Sequence, residues 1–321
     1  MSFSEHVAQQ PIPGESVDQR PSPSPLLGLL VGGAAGVLGF APWLVAGARL
    51  PLQNLWATIE GPDRMPLVLL PLSQYSLVTI VVLLVAGGAA AGITLRIWNP
   101  TRHRTTVKYA AAGLCAVQLA AVIQSFTVLH AGLMGGTAAT IYVLGLLLGT
   151  ILSLAASITL LLLLASRSRT TVALALGILA VPVATWAVEW FIGLAGPMDL
   201  PSWLPIISRW LPAILVGSTL AWFGIRSARD AGVWITNLAL LWLVPALFTT
   251  LSVVFGTRVT LGNPGEMLRL GQQILTTTLG ADGGAAPVVL LALIIAILGT
   301  GTRLITTRMA SLTHGRPPAS T

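Results

Sequence analysis

The sequence predicts an all-α fold, a polytopic transmembrane helical bundle of about eight spans. Three observations carry that expectation. First, 55% of the residues are hydrophobic and 8% are charged, with a mean hydropathy of +0.85. A soluble domain is about a quarter charged, so these charges cannot cover a water-soluble body of 321 residues, and lipid must be the main solvent. Second, long apolar runs alternate with short hydrophilic gaps. A helix needs about 20 apolar residues to cross the ~30 Å hydrocarbon core. Third, every second gap is rich in arginine: Arg96, Arg102 and Arg104 with Lys108, then Arg167 and Arg169, then Arg226 and Arg229, then Arg303, Arg308 and Arg316. Basic loops on one side only mark a multi-pass protein of defined orientation.

Residues 1–25 form a separate zone with Pro11, Pro13, Pro21, Pro23 and Pro25 and little that is large and apolar. Such a segment cannot bury enough surface to offset its ordering entropy and reads as a disordered cytoplasmic tail. Glu5, Glu15 and Asp18 precede the first apolar run, which is not the layout of a signal peptide. The bundle proper is placed at 26–302, with spans near 26–48, 75–95, 109–129, 138–165, 171–194, 210–225, 232–255 and 287–302, and a second cytoplasmic tail at 303–321. Eight spans with the arginine-rich gaps inside put both termini in the cytoplasm. Twelve basic residues then lie inside, and Arg49, Arg64, Arg209, Arg258 and Arg269 lie outside. Around the first span alone, Arg49 and Arg64 outnumber Arg20, against the sum over the chain. Trp43, Trp56, Trp186, Trp190, Trp203 and Trp210 fall near the outer interface, and Trp98, Trp222 and Trp234 near the inner one, the level an indole prefers. Trp242, well inside the seventh span, reads as a packing residue.

Three outer segments exceed a turn. In 49–74, the apolar run from Met65 to Leu72 is broken by Pro66 and Pro71 and is too short to cross, so it is interfacial or re-entrant. In 195–209, Pro197, Pro201 and Pro205 suit a chain lying on the membrane surface. In 256–286, Asn263 offers an N-cap, Pro264 the first helical position and Glu266 a capping-box acid. An amphipathic helix over 264–279 follows, with Met267, Leu268, Leu270, Ile274 and Leu275 on one side and Gly280 at its end. Gly271 weakens it in the middle.

Small residues recur at four-residue spacing: Gly28, Gly32 and Gly36 in the first span, Gly88 and Gly92 in the second, Gly145 and Gly149 in the fourth. That spacing lets helices approach closely in lipid, within the bundle or against a partner. Polar residues inside spans are few. Glu189, between Trp186 and Trp190, is the one carboxylate within a span. It is a candidate substrate or proton contact, or an interfacial side chain that snorkels or pairs with Arg209 or His130. Gln118, Gln124 and His130 are further candidate polar contacts. Cys115, Gln118, Val122 and Ser125 share one face of the third span, either lining a path or joining helices.

No P-loop, H-E-x-x-H or G-x-S-x-G motif occurs. The single Cys115 and four scattered histidines argue against a metal site, and no cofactor is expected. The +7 charge sits at the ends of apolar runs, not on one soluble face, which argues against nucleic acid as a partner. The expected partners are the lipid bilayer and other membrane proteins or a second copy. One lysine against sixteen arginines suggests a GC-rich bacterial genome and hence the inner membrane. The first functional reading is a non-catalytic partner or scaffold subunit of a cell-envelope complex. The alternative is a small-solute transporter or permease. The third is a membrane enzyme on a lipid-linked substrate, with Glu60 or Asp63 as acid or base.

Overall fold

The computed structural model describes residues 25–58, 60–98, 104–196, 199–257, 263–280 and 283–314. The tail expected at 1–25 therefore lies, apart from Pro25, outside the described residues. Among the described residues nine α-helices follow in order: α1 Pro25–Val45, α2 Leu77–Trp98, α3 Arg104–Gly132, α4 Thr137–Leu164, α5 Arg169–Ala195, α6 Leu204–Phe223, α7 Ala228–Gly256, α8 Pro264–Leu279 and α9 Ala285–His314. Eight of them are long and apolar enough to cross a membrane, and α8 is not among these. The chain is an all-α, multi-pass membrane protein; among the described residues no strand forms, only the isolated bridges Arg49↔Leu67 and Trp56↔Leu133.

Boundaries differ from the apolar runs by five residues or more at three places, the first being α3, which starts at Arg104 and not near 109. The sixth span starts at Leu204, not near 210, because Pro205 occupies the first turn, where a proline's missing N–H costs nothing. The surface segment expected up to 209 therefore ends at about 203. The last helix continues to His314, past the apolar run that ends near 302. Arg303 stops the apolar stretch but not the helix: its Nη1 donates to the carbonyls of Ala221 and Trp222 at the end of α6.

The arginine-rich gaps gather on one face. Arg96 Nη1, at the end of α2, donates to Ser166 O after α4 at 2.9 Å. Arg96 and Arg169 lie over the Trp222 ring, 5.9 and 5.3 Å from its centroid. With Arg303 on the same tryptophan's carbonyl, α2, α5 and α9 meet at the end of α6. The opposite face carries the long loops and α8.

Two packing units share α5. In the first, α1–α4 wrap α2, whose Leu83, Leu84 and Ala91 are fully buried. Backbones touch there. A Cβ on Gly32 would collide with the Ala110 carbonyl of α3, one on Gly88 with Ser157 of α4, and one on Gly92 would come within 2.7 Å of Leu164 Cβ. Gly28 and Gly36 face Thr106 and Val117 of α3. In the second unit, Ala180 of α5, Val216 of α6, Leu241 of α7 and Ala292 of α9 form a common core.

The run from Met65 to Leu72 is extended and buried against the first unit. Met65, Val68, Leu70 and Leu72 are at most 1% exposed. Extended backbone at this depth needs partners for its amides. Gln124 Oε1 accepts from Leu69 N, its Nε2 donates to Leu67 O, Ser125 Oγ accepts from Leu70 N, and Trp43 Nε1 donates to Val68 O. The segment is thus held against the protein by its backbone, with Leu67 and Leu69 left exposed.

Helix α8 begins at the Asn263 cap, whose side chain accepts from Glu266 N at 3.3 Å, and ends at Gly280. It runs back along α7: Gly271 faces Thr250 and Val254, and Leu279 O accepts from Trp242 Nε1 at 3.2 Å. A Cβ on Gly271 would meet Val254 at 3.5 Å, an ordinary contact. Gly271→Ala is therefore expected to raise stability by about 0.8–1 kcal/mol through helix propensity. A melting curve in detergent checks this, and a lowered melting temperature would mean that α8 sits closer to α7.

Candidate functional site

Among the described residues, four apolar helices carry an internal proline: Pro42 in α1, Pro182 in α5, Pro212 in α6 and Pro245 in α7. A proline inside a helix removes one donor and leaves the carbonyl four residues earlier without its helical partner. Pro212 thereby releases Ser208 O, and Pro245 releases Leu241 O. All four of these residues line one cavity of about 630 Å³ between α5, α6, α7 and the start of α9. This lies within the roughly 300–1,000 Å³ of small-molecule sites.

The cavity is graded. Val181, Ala184 and Leu241, near the middle of their helices, make an apolar floor. Thr185, Thr249 and Ser252 add hydroxyls along the walls, and Ser208, Arg209, Thr278 and Gly284 stand towards the loop-bearing face. Arg209 is the one ionisable residue among the described lining residues. Its Nη2 donates to Gly284 O at 3.4 Å, and its guanidinium lies 5.2 Å from the Trp210 ring centroid. Trp242 lines the cavity as well as holding α8.

The polar residues singled out in the sequence lie elsewhere and do not form one cluster. Gln118 is fully buried between α2, α3 and α4. Its Nε2 donates to Leu84 O at 2.8 Å and to Ser157 Oγ at 3.0 Å, which gives it a helix-joining contact set. Gln124 holds the 65–72 segment. His130 is exposed at the end of α3. Glu189 accepts from Thr79 Oγ1 at 2.9 Å, joining α5 to α2 about one turn beyond the lining Thr185. Among the described residues, no group of His, Cys, Asp and Glu is placed to hold a metal ion. Glu60 and Asp63 lie in the loop before Met65, outside the cavity lining.

The sequence signal for the cavity was weak. Ser208, Thr185, Thr249 and Ser252 each look like a routine polar residue of an apolar helix. Only the shared proline interruptions of the fifth, sixth and seventh spans point to one region.

No protein-family model matches this chain, and no curated protein or solved structure matches it significantly.

Proposed function

We propose that this protein is a membrane carrier that takes a small ligand into the cavity between α5, α6, α7 and α9 from the side opposite the arginine-rich loops. The observation that supports the reading is the cavity itself, of ligand size, with one arginine, Arg209, and several hydroxyl-bearing residues in its lining. Polar groups and irregular backbone at membrane depth are tolerated where they line a cavity, and substrate sites of transporters are built there. The positive-inside rule places the arginine-rich face in the cytoplasm of a bacterial cell and the cavity mouth outside. Glu189, one turn from the wall, is the nearest described carboxylate on α5 and a candidate for a coupling proton.

A scaffold subunit of an envelope complex is the second reading. The glycine faces of α1 and α2 do not argue for it specifically, since Gly28, Gly32, Gly36, Gly88 and Gly92 are all covered within the chain. Flux separates the two. Thr249 is exposed and lines the cavity, so Thr249→Trp should fill space without displacing core side chains. In reconstituted vesicles, wild type should carry at least one member of a broad panel of solutes and amphiphiles, and Thr249→Trp should abolish that flux with the melting temperature retained. Wild-type flux no higher than that of empty vesicles across the panel would remove the carrier reading and favour the scaffold.

A further inference from the structure

The cavity combines one positive charge with an apolar floor, and that combination selects a ligand class. Arg209 is exposed near the start of α6. The described partners of Arg209 are a carbonyl and an indole face, Gly284 O and Trp210, neither of which carries a negative charge. A guanidinium has five N–H donors in a rigid fork, and one is directed at Gly284 O, leaving others for an oxyanion in the bidentate geometry that arginine favours. A cationic ligand would be repelled at this position.

Ser208 of α6 and Thr278 of α8 line the same cavity as Arg209. The deeper Val181, Ala184, Leu241 and Ala246 are at most 7% exposed, and the half-buried Val78, Phe248 and Val288 supply apolar lining without a polar side chain. A fully hydrated ion gains nothing from that lining, whereas an alkyl chain gains about 0.8 kcal/mol per buried methylene.

Resting on the carrier reading above, we propose that the cavity binds an amphiphile with one anionic head, phosphate or carboxylate, its head on Arg209 and its tail against Val78, Phe248 and Val288. The phosphate chemistry could come from a lipid of the outer leaflet or from the free anion in water, and the test separates these sources.

Titration calorimetry on the full chain in a non-ionic detergent uses dodecyl phosphate, dodecyltrimethylammonium and inorganic phosphate as probes. Dodecyl phosphate should bind wild type more tightly than either of the others. Arg209→Gln should weaken it about ten- to a hundredfold, the loss of a charge-assisted hydrogen bond, with little effect on dodecyltrimethylammonium. Arg209→Lys, which keeps the charge and loses the fork, should fall between. Equal binding of the cationic and anionic amphiphiles to wild type overturns the proposal without needing a variant. So does inorganic phosphate binding as tightly as dodecyl phosphate, which would assign the site to a free anion. If Thr249→Trp abolishes binding of the tailed probes while Arg209→Gln changes nothing, the cavity is a ligand site and only the anion assignment falls. If Thr249→Trp also changes nothing, the carrier reading falls with it.

Discussion

Replacing Gly32 with leucine is expected to cost about 3 kcal/mol or more and to leave much of the protein misassembled. The reason is geometric. Helices α1 and α3 touch through backbone at this level: a Cβ on Gly32 would overlap Ala110 O, and the reciprocal position, Gly113, is equally closed by Leu29 O. Overpacking a well-packed core ordinarily costs 1–3 kcal/mol, with larger values where side chains cannot move aside. Here the obstacle is backbone, so the two helices must separate along their whole seam. Gly145→Leu is the matched control, since that glycine meets nothing within 4 Å and faces outward. Thermal unfolding in detergent should show a large fall for Gly32→Leu and little change for Gly145→Leu. Equal effects would mean that four-residue spacing, rather than close approach, governs stability.

The second large effect is expected from Gln124→Ala combined with Ser125→Ala. These two side chains accept from Leu69 N and Leu70 N, both at 2.9 Å, and Gln124 also donates to Leu67 O at 3.0 Å. Leu70 is fully buried, so its amide has no access to water once Ser125 Oγ is removed. A buried orphan donor costs about 1–3 kcal/mol, and the lost Gln124 bonds bring the total to about 2–4 kcal/mol. Hydrogen exchange should show faster exchange across 65–72 together with a lowered melting temperature. Unchanged protection there would mean that Trp43 Nε1 and the apolar contacts of Met65, Val68 and Leu72 suffice to hold the segment.

Much of this fold was legible because its signals are local. Spans follow from runs of apolar residues, and the Asn263, Pro264 and Glu266 signature fixed α8 because capping depends on a few adjacent residues. The segment 65–72 was less legible. Its length excluded a crossing, but its burial depends on Gln124 and Ser125, more than fifty residues further along the chain. Glycine spacing marked close approach equally at Gly32 and Gly145, and only the three-dimensional arrangement distinguishes them. The cavity was the least legible feature. Its walls come from several helices, and each contributes a serine, a threonine or a proline that is ordinary in its own context. Glu189 and Gln118 attracted notice because a polar residue stands out in an apolar run, and the structure gives each of them a partner on a neighbouring helix.

The central claim is that a water-accessible cavity opens on the face opposite the arginines. Cysteine accessibility in intact cells tests it without knowledge of the ligand. In a chain with Cys115→Ala, a cysteine at Ser252 lies on the cavity wall, and a cysteine at Ser168 lies exposed among the arginine-rich loops. Ser252→Cys should react with a membrane-impermeant thiol reagent from outside, and adding Thr249→Trp should suppress that reaction. Ser168→Cys should react only after permeabilisation. Labelling of Ser168→Cys in intact cells, or a Ser252→Cys that reacts only after permeabilisation, would contradict the account.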